Sequence, residues 1–546
     1  MQLSTSIKLA MYNIMKEGIT DVDVFQKPFE IQFLRDEKCF NEIKNIVESR
    51  FEKAYAIIDK DPKSSFAALK ELKLQPLRSI LVPKKTLFDF RKCGYIELLD
   101  EITYLTLCLT LSNKIEKERI HKRSKLVYSY RLKPDLINQK KPTSLFDSDF
   151  TYTTFRKEVS QRAKDKSVRV VVACDIGNFY DRLNLHRLEN TLLAVKDIET
   201  PAVILLNELL LYWSNRDSYG IPVGSNGSRI LAEASLINID KYLMNKKISF
   251  IRFVDDFRLF AKNASQAHTW LSILVERLNQ EGLFLNTSKT SISEASKVIR
   301  TQFEKPIEVK SQDDSEMEKS DLPLIIRGYS GLIPTKFRKI SERERANLIG
   351  EDIARIKRES IDIDLIDPKD LLKYIRALVA QENWSELAAT CSVLIRFPQF
   401  TPYYLDSIHK NESKLEEHKD ILIPTIVELA NDSNILEYLR IYILRFLSIS
   451  AFLSKNTVID SYHRLKRSEG VYLGRAILEC LNNIVDRDDL LQIKNDFIRA
   501  DPAEKRQILK LLKQTFNDNE FSSFYKNISL NDDDIWYSYI ASKKQR

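Results

Sequence analysis

The chain has 546 residues, 43% hydrophobic and 30% charged, with only 12 glycines and 16 prolines. That length exceeds the ~250–300 residues one core normally holds, and so few breakers exclude collagen-like or linker-rich architectures. Lys and Arg number 85 against 77 Asp and Glu, a formal charge of +8, which permits a nucleic-acid partner without demanding one.

The six cysteines include no C-x-x-C pair and the six histidines form no close cluster, which argues against a zinc site and for reduced thiols in the cytoplasm. The N terminus lacks a signal-peptide pattern, and no apolar run reaches the ~20 residues of a membrane helix. The expectation is a cytoplasmic protein with no membrane partner.

Residues 1–165 alternate helical stretches with short apolar pieces. Glu97–Leu111 has helical spacing, and the dense charge of Lys114–Lys125 reads as solvated. At Ser167 the texture changes: SVRVVVACDI predicts a buried strand. Helices are expected at Leu185–Val195 and Pro201–Trp213, then a loop, GIPVGSNGS, running into the helical ILAEASLINIDKYLM. ISFIRFVDDFRLFA reads as two strands joined by a turn at Asp255–Asp256, Ala264–Glu281 as an amphipathic helix, and LFLNTSKTSIS as a further strand. Lys310–Asp321 is polar and charged and reads as a loop or linker. Beyond Thr335 amphipathic helices follow one another, in a spacing near that of stacked helical repeats of HEAT-like type, though a plain bundle fits almost as well. The expected class is α/β followed by α, with domains at 1–330 and 335–546.

Transfer of a nucleotide to a growing chain needs two divalent cations about 4 Å apart, held by carboxylates from separate segments. Asp175 ends a β-rich run, and Asp255 and Asp256 sit at a hairpin flanked by apolar strands, where paired carboxylates are costly unless something cationic meets them. An Asp-Asp pair alone is more often just a turn.

Four segments in order resemble the reverse-transcriptase motifs. Motif A is matched by Asp175 and Tyr180, and motif C by Phe253-Val-Asp255-Asp256. Motif B is matched by Gly220-Ile-Pro-Val-Gly224 running into Ser228-Arg229-Ile-Leu-Ala-Glu233, and motif D by Leu283-Phe-Leu-Asn-Thr-Ser-Lys289-Thr290. Upstream, Leu81-Val-Pro-Lys84-Lys85 and Arg91 resemble the fingers residues that grip the incoming triphosphate. Val223 replaces the usual Gln, and Ser228–Glu233 replaces the usual Ser-Pro start. That form, with Tyr130-Arg131, resembles the bacterial abortive-infection and defence-associated reverse transcriptases, in which a helical-repeat domain replaces the thumb.

The resemblance implies a fingers–palm polymerase using two Mg2+ ions, with Mn2+ as the alternative. Asp175 and Asp255 would hold both metals, with Asp256 and the carbonyl of Ile176 as further ligands. Tyr180 would exclude a 2′-hydroxyl, Gly224 would let backbone approach the nucleotide, and Ser228 and Arg229 would start a helix favouring phosphate, although Arg229 serves equally well in a salt bridge. Lys289 would protonate pyrophosphate or solvate a strand end. Implied partners are dNTPs, a single-stranded DNA product that can be attached to a protein tyrosine, RNA, and further copies of the chain, with a role in antiphage defence. Basic and aromatic residues of the helical region, such as Lys373, Arg376, Arg440, Arg445, Arg464, Lys466, Tyr403, Tyr404, Tyr438, Tyr442 and Tyr462, are candidates for strand binding or priming. Two rivals stand beside this reading: an RNA-templated enzyme of retron type, and a relic palm serving as a scaffold.

Overall fold

The computed structural model describes the chain except residues 85–88, 135, 137–143, 305–335, 361–367, 433, 453–454, 466–470, 530–533 and 543–546, and, within helices, the side chains of 300–304, 359–360, 368–370, 471 and 529. Lys85, Lys466, the Lys310–Asp321 linker and the division between 330 and 335 fall outside the described residues. In chain order the strands are β1 (Arg78–Pro83), β2 (Phe90–Tyr95), β3 (Val170–Asp175), β4 (Phe250–Phe253), β5 (Asp256–Ala261) and β6 (Ser291–Glu294). Contacts divide the chain into two units: Met1–Asp21, Lys27–Leu77 and Ile96–Ile326 form one, and Val22–Gln26, Arg78–Tyr95 and Arg327–Arg546 the other.

The first unit is built on an antiparallel sheet of order β4-β5-β3-β6. β3 is a run of β-branched and small residues with helices on both faces, which suits a central strand. On one face Val171, Ile251 and Phe260 pack with Phe155, Val159 and Ala163 of the helix Tyr152–Ala163. The helix Ala264–Gln280 packs on β3 and β5. A second layer centres on the helix Leu98–Glu118, buried without a break from Asp100 to Ser112, as expected of a helix apolar all round. Its Thr103, Thr106 and Thr110 hydroxyls return to the carbonyls four residues back at 2.8, 2.6 and 2.9 Å, so their polarity is satisfied internally.

Four local expectations are corrected. The helix predicted to end at Leu111 runs to Glu118, and the stretch read as solvated contains Arg119, only 5% exposed, because buried acids meet it. ILAEASLINIDKYLM is two helices, Asn226–Ser235 and Ile237–Asn245, since Leu236 bonds back three residues to Glu233 and tightens the chain. The hairpin turns at Val254–Asp255, with Asp256 already in β5. LFLNTSKTSIS is broken by a 3-10 turn at Thr287–Lys289, where the Asn286 carbonyl accepts from both Lys289 N and Thr290 Oγ1.

The second unit joins the β1–β2 hairpin to helices. Thr401–His409, Glu437–Ile449, Val471–Cys480, Pro502–Thr515 and Trp536–Ser542 contact one another in succession, the pattern of a helical stack. Tyr472 is a hub: its hydroxyl accepts from Gln26 N at 2.8 Å and donates to the Val24 carbonyl at 3.0 Å, and its ring meets Phe25 and Tyr95. Four of the aromatic candidates of this region are internal. Tyr403, Tyr404, Tyr438 and Tyr462 are buried. Arg440 and Arg445 donate to the carbonyls of Asp432 and Val24, and Lys373 pairs with Glu351. These side chains pack and cap the stack, which is why they carry the helical apolar period.

Candidate active site

β3 and β5 run antiparallel with Asp175 opposite Asp256, so the ends of two strands set two carboxylates side by side. The third, Asp255, lies in the turn before β5, and its carbonyl accepts from Ile176 N at 3.1 Å. The segment after β3 is clamped on its other side: Ile176 bridges Leu285, Gly177 N donates to Phe284, and Asn286 N donates to the Asp175 carbonyl at 2.7 Å. Lys289, 60% exposed, reaches the Asp175 carboxylate at 3.1 Å. Asp256 is held by both guanidinium nitrogens of Arg258, two residues along the same strand face. Burial raises the Asp256 carboxyl above its ordinary range and Asp175 adds to the rise, while Arg258 opposes it. Tyr152, half-exposed at the start of its helix, feels the charge of both Asp256 and Asp175.

A buried polar network fixes this turn. Val254 has φ +54°, a costly conformation for a β-branched residue. Its N–H donates to Ser129 Oγ at 2.9 Å and its carbonyl accepts from Arg252 at 3.2 Å. Ser129 Oγ donates to Glu233 at 2.5 Å. Arg252, fully buried, grips Asp240 with two bonds of 2.7 and 2.6 Å and reaches Glu233 at 3.1 Å. Arg119 meets Glu233 at 2.5 Å and Glu116 at 3.0 Å, and Arg131 meets Glu116 at 3.1 Å. Three guanidiniums thus face three carboxylates, the condition under which buried charge is tolerated. Burial pushes Glu233 up, but Arg252 and Arg119 outweigh it and hold the carboxyl below its ordinary range. The network ties motif C, the motif B helix and the 129–131 loop into one body. Sequence reading missed it. The signal was present in the charged residues Glu233, Asp240 and Arg252 standing inside apolar runs, whereas Arg119 lies in the densely charged Lys114–Lys125 stretch and carried none.

The motif B helix begins at Asn226 and is capped by Ser225, whose hydroxyl accepts from Gly227 N and donates to buried Glu101 at 2.6 Å. Ser228 is therefore not at the helix start: it is fully buried and bonded to the Tyr104 hydroxyl at 2.9 Å. Close approach to the helix Leu98–Glu118 requires glycine at 227, where a Cβ would come within 2.9 Å of Tyr104. Gly224 has φ +109°, and its carbonyl accepts from Asp21 N at 3.4 Å. Arg229 pairs with Asp21 and lies over the Tyr130 ring at 5.1 Å. Tyr180, 7% exposed, sits within the charge fields of Arg229 and Asp255, and its carbonyl accepts from Ile221 N at 3.1 Å, so the motif B loop hangs from motif A. Lys84 and Arg91 belong to the hairpin of the second unit, where Lys84 pairs with Asp89 at 2.8 Å and Arg91 stands opposite Val82.

Among the described residues no three His, Cys, Asp or Glu side chains form a ready-made ligand cluster. The donor chemistry nevertheless fits a hard divalent ion, because magnesium needs only one or two carboxylates when substrate phosphates and waters complete its shell. Residues 104–312 match the family model described as reverse transcriptase (RNA-dependent DNA polymerase), and the chain carries a domain of that nucleotidyltransferase family, which generally works with divalent metal ions. The domain is followed by a mostly helical region.

No curated protein matches the chain. Among solved structures it is similar to telomerase from Candida albicans in complex with a telomeric RNA fragment, at 12% identity, covering 76% of this chain and 67% of that one with a TM-score of 0.29. It is also similar to apo telomerase from Candida tropicalis, at 12% identity, covering 80% and 68% with a TM-score of 0.28. No helix among the described residues is long and apolar enough to cross a membrane.

Proposed function

We propose that the chain is a DNA polymerase that joins the α-phosphorus of a dNTP to an acceptor hydroxyl oxygen at the Asp175–Asp255 end of the sheet, releasing pyrophosphate. The observation that carries this reading is the strand register that pairs Asp175 with Asp256 and sets Asp255 in an adjoining, internally locked turn. Bound magnesium, or manganese in its place, would activate the attacking hydroxyl and neutralise the leaving pyrophosphate. Asp175 and Asp255 would hold the ions, with the Ile176 carbonyl beside them. Asp256, engaged by Arg258, would act by holding the turn. Lys289, exposed next to Asp175, would deliver a proton to the departing phosphate. Tyr180 would close the sugar pocket against a 2′-hydroxyl, while Gly224 and the guanidinium of Arg229 border the nucleotide.

The resemblance to defence-associated enzymes supports template-independent, protein-primed synthesis by a cytoplasmic homo-oligomer acting against phage. Tyr403, Tyr404, Tyr438 and Tyr462 are buried, which counts against them as priming residues, and Tyr152, half-exposed and within the charge field of Asp256 and Asp175, is the tyrosine this reading names. The test is to incubate purified protein with each dNTP and Mg2+, with and without RNA, then sequence any product before and after protease. Product that forms without RNA and stays bound to protein supports the proposal. Product made only with RNA and complementary to it replaces the proposal with the templated alternative.

A further inference from the structure

The end of the sheet away from the aspartates is chemically unlike the rest of the unit. Because the strands alternate in direction, the loop before β3, the loop before β4 and the residue after β5 all arrive there. Together they bring Lys164, Lys166, Arg169, Lys246, Lys247 and Lys262, all exposed, against Asp165 and Glu294. One oxygen of the exposed Asp165 carboxylate accepts from the Ser167 N–H and hydroxyl, both at 2.8 Å. Among the described residues Lys166, Arg169, Lys247 and Lys262 enter no ion pair, whereas cations elsewhere in the unit, such as Lys44, Arg187 and Lys241, do.

This end also holds a cleft of about 480 Å³ lined by Arg162, Lys247, Lys262, Phe260 and Trp270, within the roughly 300–1,000 Å³ range of ligand sites. Its wall is rigid. Arg162 is fixed by Glu158 at 2.9 Å and by the carbonyls of Phe250 and Lys125 at 3.3 and 2.9 Å, and lies over the Phe260 ring at 5.9 Å. Lys247 is presented by a left-handed turn, φ +56°. Trp270, only part-buried, lines the cleft together with the two lysines. Unpaired cations around an accessible aromatic ring are the arrangement that holds single-stranded nucleic acid, phosphates on the cations and a base on the ring.

We infer that this cleft docks a single-stranded nucleic acid, with a base stacked on Trp270 and backbone phosphates met by Lys247 and Lys262. Five residue steps along β3, at ~3.4 Å each, put it ~17 Å from the carboxylates, about the length of five stacked nucleotides. A strand held there is retained at a second point while the active end turns over.

The test uses the full-length protein carrying Asp175→Asn, so that nothing is extended, and a fluorescein-labelled deoxythymidine oligomer of about twelve nucleotides, matched to known single-strand site sizes. Fluorescence anisotropy should show Lys247→Glu/Lys262→Glu weakening binding at least about tenfold and flattening its salt dependence. Trp270→Ala should weaken it about fivefold or more, and the oligomer should quench tryptophan fluorescence in the parent but not in Trp270→Ala. Unchanged affinity in both folded variants would overturn the inference, and so would equal competition by a free dNTP, which would make the cleft a mononucleotide site. Binding is read without catalysis, so an inactive palm would leave this claim standing, and a lost cleft would leave the palm standing.

Discussion

Arg252 offers a way to separate the fold from the site. Its guanidinium makes two bonds to Asp240, one to Glu233 and one to the Val254 carbonyl, and all three side chains are at most 1% exposed. In Arg252→Met, Glu233 keeps Arg119 and Ser129, but Asp240 is left buried without its guanidinium. Breaking such a pair costs ~3–5 kcal/mol. At roughly 1.6 °C per kcal/mol for a unit of about 300 residues, the melting transition of the palm unit should fall by about 5–8 °C. The double variant Arg252→Met/Asp240→Leu removes the stranded charge and should recover most of that loss. Incorporation of labelled dNMP should stay depressed by about tenfold or more, because the strained turn that carries Asp255 has lost one of its two holds and sub-ångström placement governs the rate. A single variant that melts within about 1 kcal/mol of the parent would refute the account of the network. A double variant that regains both stability and full activity would refute its role in positioning the turn.

Tyr180→Val should raise the efficiency of ribonucleotide relative to deoxyribonucleotide use, and an unchanged ratio in an active protein would remove the gate. Lys289→Gln should leave stability within about 1 kcal/mol, since its pair with Asp175 is mostly solvated, yet slow single-turnover incorporation by about a hundredfold if the lysine delivers a proton. Burial pushes the Glu101 carboxyl up to about 8, against the pull of Ser225 and Arg229. A folded pKa above the unfolded ~4.3 means stability present at low pH is lost as pH rises through the folded value, by up to ~5 kcal/mol. Glu101→Gln should therefore melt near the parent at about pH 5 and clearly above it at about pH 9, and parallel melting profiles across that range would count against the shift.

The strands that carry the aspartates were legible because their pattern is local. VVVACD followed by FVDDF puts carboxylates at strand ends by pattern alone, and the structure has β3 ending at Asp175 and β5 opening at Asp256. What pattern could not show was pairing across the chain. Nothing in the spacing of Arg119, Ser129, Glu233 and Arg252 says that they meet, because their contacts span 19 to 123 residues. The loop GIPVGSNGS reads as running up to a helix that begins at Ser228, yet the cap is Ser225, which also bonds Glu101 more than a hundred residues upstream. The tyrosines of the helical region looked available for a strand because a helical period marks a face without saying what covers it. Neighbouring helices cover Tyr404 and Tyr462, whose hydroxyls end on the Leu387 carbonyl and on Glu504.

The most direct test of the central claim is nucleotide incorporation by Asp175→Ala and Asp255→Ala with melting curves matched to the parent. Each variant should fold, and incorporation should fall by several orders of magnitude, because each removes a charge the transferring phosphate would depend on. Near-normal incorporation by either folded variant would contradict the assignment of the active site to this end of the sheet.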